Sequence, residues 1–135
     1  MSDLELDDGI RALLTTQLDS FEKLEIVQTL RASGQAMSRE ALEAACRFSP
    51  ETVRETLAEL QRATIVEHVT GSGLVRLGTG GRDRNVDALM KLYEGDRPGV
   101  LSVLSSLAME RIRTMAARAF ADAFAIRKKG GDDDG

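Results

Sequence analysis

The chain reads as a mainly α-helical protein with one small β-hairpin, and three observations predict this. Apolar residues recur at spacings of three and four through most of the chain. Hydroxyl or carboxylate residues stand at the starts of those stretches, and the period drops to two only between Thr64 and Leu77. With 135 residues, 42% apolar and 30% charged, there is material for one compact domain and too little for two ordinary ones.

The first helix is expected from about Asp8 to Gln17, with Ile10, Leu13 and Leu14 on its inner face. Asp19 followed three residues later by Glu22 has the pattern of a capping box, so the second helix starts there. Its core face is Phe21, Leu24, Ile26, Val27 and Leu30, and Gly34 supplies a left-handed stop. Ser38 caps a third helix reaching Phe48, with Ala41, Leu42, Ala45 and Cys46 on one side. Ser49-Pro50-Glu51 then opens a fourth: the hydroxyl caps, proline wastes no N–H at the first position, and the glutamate faces the positive end of the dipole.

Residues 64–70 and 74–77 read as two strands joined at Gly71-Ser72-Gly73, a turn able to take positive φ. Gly78-Thr79-Gly80-Gly81 is expected to be a flexible link, and it lacks the Lys-Ser/Thr continuation of a phosphate loop. Asp83 caps a helix with Val86, Leu89, Met90 and Tyr93 inside. Asp96-Arg97-Pro98 opens a last element to about Ile126, with Ser105-Ser106 as a potential break. The expected organisation is an N-terminal helical extension (1–18), a central unit (19–78), a helical region (82–127) and a disordered tail (128–135).

Net charge is −4, distributed unevenly. Residues 1–75 hold 7 Lys/Arg against 13 Asp/Glu, whereas residues 76–129 hold 11 against 6. Such polarity suits an acidic partner at one end or head-to-tail pairing of copies. One cysteine and one histidine exclude an internal disulfide framework and leave no soft-ligand metal cluster. No metal or cofactor is expected. Cys46 reads as a small core hydrophobe and His68 as a surface residue of the hairpin. No run of eighteen apolar residues occurs and the amino terminus is acidic, so a cytoplasmic protein without membrane contact is expected. No nucleophile, base and orienting group come together, which argues against an enzyme.

Two capped helices in tight succession followed by a glycine-tipped hairpin have the order of a winged helix-turn-helix. The stretch from Ser49 to Val66, especially Val53-Arg54-Glu55-Thr56-Leu57, resembles the second helix and first wing strand of bacterial winged-helix transcriptional regulators of the GntR and MarR groups. The resemblance covers residues 20–78 and implies a DNA-binding regulator whose second helix enters the major groove. Carried onto this chain, it implies Thr52 and Arg54 near base edges, with Ser49, His68, Arg76, Arg82 and Arg84 toward phosphates. Glu51, Glu55 and Glu59 depart from that pattern, because a phosphate surface repels carboxylates. A solvated helix face, or a protein-docking adaptor without DNA binding, remains open on the same residues.

The terminal segment carries Leu101, Leu104, Ala108, Ile112, Met115, Ala119, Phe120 and Phe124 as one apolar strip. A homodimer through this strip is expected, the other option being a fold back onto its own domain. Arg111, Arg113 and Arg118, with Arg127, Lys128 and Lys129, make this end basic, which suits either the helix dipole and a solubilising end or a patch for nucleic acid or an acidic protein.

Overall fold

The computed structural model describes residues 6–133, with side chains through 125. The architecture is mainly helical with a small antiparallel sheet. In chain order come α1 (Asp8–Thr16), α2 (Phe21–Ser33), β1 (Met37–Ser38), α3 (Arg39–Cys46), α4 (Pro50–Arg62), β2 (Val66–Val69), β3 (Leu74–Leu77), a 3-10 turn (Gly80–Arg82), α5 (Arg84–Gly95) and α6 (Arg97–Asp133).

Local capping chemistry sets most of these starts. Ser38 accepts from Ala41 N at 3.0 Å and Ser49 from Thr52 N at 3.1 Å, each satisfying an orphan donor of the first turn. Asp83 likewise accepts from Asn85 N. The cap of α2 lies one residue later than expected: Ser20, not Asp19, accepts from Lys23 N at 3.2 Å. Asp19 is thereby released to pair with Lys23 Nζ at 2.7 Å. Phe21, expected in the core, is exposed at the edge, where it meets Phe48 edge-on at 6.0 Å between ring centroids. On α3 only Leu42 is fully buried; Ala45, expected inside, is exposed.

The sheet has a third strand that a period-two reading missed. β1 is two residues long and pairs with β3, giving the order β1-β3-β2. It closes the start of α3 against the hairpin. The hairpin itself is shorter than expected, because Thr64 takes a left-handed φ of 61° and ends α4 before extended backbone can begin. Ile65 N reaches Leu60 O at 2.9 Å across that turn.

Gly78 to Gly81 form a packed turn, contrary to the flexible link expected. A Cβ on Gly81 would lie 2.2 Å from Ile65 O, and one on Gly78 would lie 2.7 Å from Thr64 O. Gly81 is buried, and Gly78 N donates to Ile65 O at 2.7 Å. The glycines exist here so that one backbone can lie on another.

Core side chains come from every helix, with Leu14, Leu24, Leu42, Leu60, Leu89 and Val100 all fully buried. Helix α5 packs on α1 and on the first turns of α6. Tyr93, fully buried, donates to Glu25, whose carboxylate also meets Arg97 at 3.4 Å. Burial and the Glu25 carboxylate together push the Tyr93 phenol well above its ordinary range.

Helix α6 is unbroken at Ser105-Ser106 and continues through Asp133, six residues into the segment expected to be disordered. Once a helix is nucleated against a core, each further residue adds a hydrogen bond at little cost. Asp134 and Gly135, the rest of that segment, lie outside the described residues, as do the side chains of Arg127, Lys128 and Lys129 expected to make this end basic. No helix among the described residues is long and apolar enough to cross a membrane.

Candidate nucleic-acid interface

Helix α4 buries Val53, Thr56, Leu57 and Leu60, which turns the opposite side outward. Glu51, Arg54, Glu55, Ala58, Glu59, Gln61 and Arg62 are exposed there, and Thr52 is half-buried at its edge. Arg54 makes no ion pair among the described residues. Neither does Arg47, which sits exposed in a left-handed conformation at the turn into α4 and adds a guanidinium that sequence reading did not single out.

The charge balance on this face differs from a count of residues. Glu59 meets Lys23 Nζ at 3.2 Å, so one of the three carboxylates is already neutralised from α2. Glu51 and Glu55 remain, facing Arg54 and Arg62. Burial pushes the Asp19 carboxyl up, but the hydrogen bond and charge of Lys23 outweigh it and hold the group below its ordinary 3.8. A depressed carboxyl contributes stability above its unfolded value and loses it as pH falls through the folded one. Replacing Lys23 with methionine should therefore flatten the acid-side loss, read as a smaller drop in urea midpoint between about pH 6 and pH 3.

Ser49 serves as a cap, and its hydroxyl is committed: it also donates to Thr52 Oγ1 at 2.9 Å. His68 is exposed on β2, as expected for a hairpin surface residue. Arg76, expected to face phosphates, pairs through Nε with its cross-strand neighbour Glu67 at 2.7 Å. Arg82 folds back to donate to Leu77 O at 3.1 Å, while Arg84 is exposed at the start of α5. The predicted residues thus divide. Thr52 and Arg54 lie at the first turns of α4, whereas Arg76 and Arg82 meet in a cleft at the far end of the hairpin, where Arg31 of α2 joins them.

The apolar strip of α6 divides as well. Leu104 is buried in the domain's own core, Leu101 packs half-buried against it, and Ala108 is half-buried, so these three do not belong to a free face. Beyond Arg111, which reaches Asp19 at 3.5 Å, the helix leaves the domain. Ile112 is then 59% exposed, Met115 65%, Phe120 73% and Phe124 60%, with Ala119 between them. At 3.6 residues per turn Ile112, Met115 and Ala119 stay on the same side of the helix as Leu101, Leu104 and Ala108, whereas Phe120 and Phe124 lie roughly 110–150° round from it. Together the five form a broad distal stripe, exposed because the helix has passed beyond the domain.

Cys46 is half-buried, with Sγ 3.4 Å from Thr29 Oγ1. Burial pushes its thiol up, away from the reactive thiolate. Among the described residues no group of His, Cys, Asp and Glu is arranged to hold a metal ion. No family model, curated protein or solved structure matches the chain.

Proposed function

We propose that residues 19–78 act as a winged helix-turn-helix that binds duplex DNA through the outward side of α4, and that two copies pair along the distal stripe of α6 as a bacterial, cytoplasmic transcription regulator. The observation that carries this reading is the arrangement around α4. It follows α3 across a three-residue turn, leaves its outer side uncovered, and is flanked by a sheet in the order β1-β3-β2 whose glycine-tipped end is free.

In this reading Thr52 and Arg54 approach base edges, and Arg47 and His68 lie toward phosphates. Ser49 acts by fixing the helix start, and Arg84 stands exposed at the start of α5. Pairing two copies would set the spacing of two α4 helices against symmetric half-sites. Arg54→Ala should weaken duplex binding by about 1–3 kcal/mol, measured by fluorescence anisotropy across a salt series. Affinity unchanged by both the substitution and added salt would contradict the reading.

Glu51 and Glu55 favour a second reading, a protein adaptor whose α4 docks a basic surface. Glu51→Lys with Glu55→Lys separates the two: it raises nonspecific DNA affinity if α4 meets phosphates and abolishes partner capture if it docks a protein.

A further inference from the structure

We propose that the cleft between the end of α2 and the far end of β3 binds a small organic anion, one bearing a phosphate or carboxylate on a compact apolar body. The cleft has a volume of about 390 Å³, within the usual range for small-molecule sites. Leu30, Leu77 and Ala36 supply apolar lining, and Arg31, Arg76 and Arg82 enter from three separate elements. No carboxylate is among the residues that line it.

Arg31 and Arg76 are held from outside the cleft, and Arg82 by a carbonyl at its wall. Arg31 is anchored by Asp87 at 2.9 Å and Glu94 at 3.4 Å. Arg76 is anchored through Nε by Glu67 at 2.7 Å, which leaves both terminal nitrogens without a partner among the described residues. Arg82 uses Nη1 on Leu77 O at 3.1 Å and keeps its other nitrogens. A guanidinium has five donors in a planar fork that matches a carboxylate or phosphate edge. Anchored forks lose little further freedom on binding, so their remaining donors are preorganised for an anion. Carboxylates balance Arg31 and Arg76 from outside, whereas Arg82 has no carboxylate partner among the described residues, so its charge is left for an anion.

The position separates this cleft from the outward side of α4. Arg76 and Leu77 lie at the end of β3 away from the Gly71–Gly73 tip, where Gly80 N bonds Thr64 O just after α4 ends. Arg54 lies eight residues before Arg62, roughly 12 Å along the helix axis. A ligand here would bridge the hairpin, through Arg76, to α5, through Arg31 and Asp87. That is the position of an effector that adjusts the hairpin, and it stands whether or not α4 binds DNA.

Amide shifts in ¹H–¹⁵N spectra of the full chain, titrated with inorganic phosphate or citrate against chloride at equal ionic strength, test the proposal. Saturable shifts at Gly34, Gln35 and Ala36 are expected. They should require roughly tenfold more anion in Arg82→Gln, and likewise in Arg76→Gln, both exposed positions whose variants are checked for a native-like spectrum. Three outcomes would overturn it: no saturable shift with either anion, shifts confined to other residues, or wild-type affinity in both variants. A short duplex DNA is run in parallel; if it moves these three amides and the small anions do not, the cleft belongs to a nucleic-acid surface and the proposal fails.

Discussion

Gly81→Ala is expected to destabilise the protein by about 2–3 kcal/mol, the upper range for overpacking a closed site. The added methyl would meet the carbonyl oxygen of Ile65 at 2.2 Å. That atom belongs to backbone, which cannot swing aside as a long side chain would. Relief requires parting the 3-10 turn from the start of β2, and with it the bond from Gly78 N to Ile65 O at 2.7 Å. Gly95→Ala provides the contrast. It lies at the end of α5 with no atom within 4 Å of the added Cβ and without a positive φ, so it should be neutral or stabilise by up to about 1 kcal/mol. Urea unfolding of both variants decides. Equal midpoints would mean that Gly78–Gly81 is the loose link suggested by its composition.

The second large effect concerns self-association. Ile112→Glu with Phe120→Glu should weaken a dimer by about a hundredfold or more, because each substitution removes roughly 1.5–3 kcal/mol of apolar burial per copy and places a carboxylate in the contact. The isolated domain should keep its thermal stability, since both side chains are exposed in the single chain. Leu104→Glu should behave in the opposite way and unfold the domain, since that residue lies in the core. Sedimentation equilibrium combined with thermal melts distinguishes these outcomes. A monomeric wild type, or a mass unchanged by the double substitution, would remove the distal stripe as an interface.

The elements legible in the sequence are those whose causes are local. Ser38, Ser49-Pro50 and Asp83 cap helices within three residues of themselves, so the starts of α3, α4 and α5 could be read directly. The positive φ of Gly71 and Gly73 at the hairpin tip followed from the turn in the same way. What escaped depends on groups distant in sequence. β1 is too short to show a period, and it exists only because β3 offers it an edge. The close approach of Gly81 to Ile65 crosses the whole hairpin. Arg31 carries no local sign of a site, since its partners Asp87 and Glu94 stand 56 and 63 residues away. The pair Glu67–Arg76 could have been found, because the hairpin register alone places them opposite one another.

Helix α6 shows a different failure. Spacings of three and four continue from Leu101 to Ala119 on one side of the helix, yet spacing says nothing of where the domain ends. The strip passes from the core at Leu104 to an uncovered length beyond Arg111, and Phe120 and Phe124 widen it onto a further side. In α2, Phe21 stands at the exposed edge while Lys23, a charged residue that an apolar pattern passes over, is largely buried against Asp19 and Glu59.

The central claim is that the first turns of α4 meet DNA. Amide perturbation mapping of the labelled chain against a short duplex at low salt tests it most directly. The largest shifts are predicted between Ser49 and Glu55 and at the hairpin tip around Ser72, fading as salt rises. Absence of binding at low salt, or shifts concentrated elsewhere while Thr52 and Arg54 stay unmoved, would contradict it.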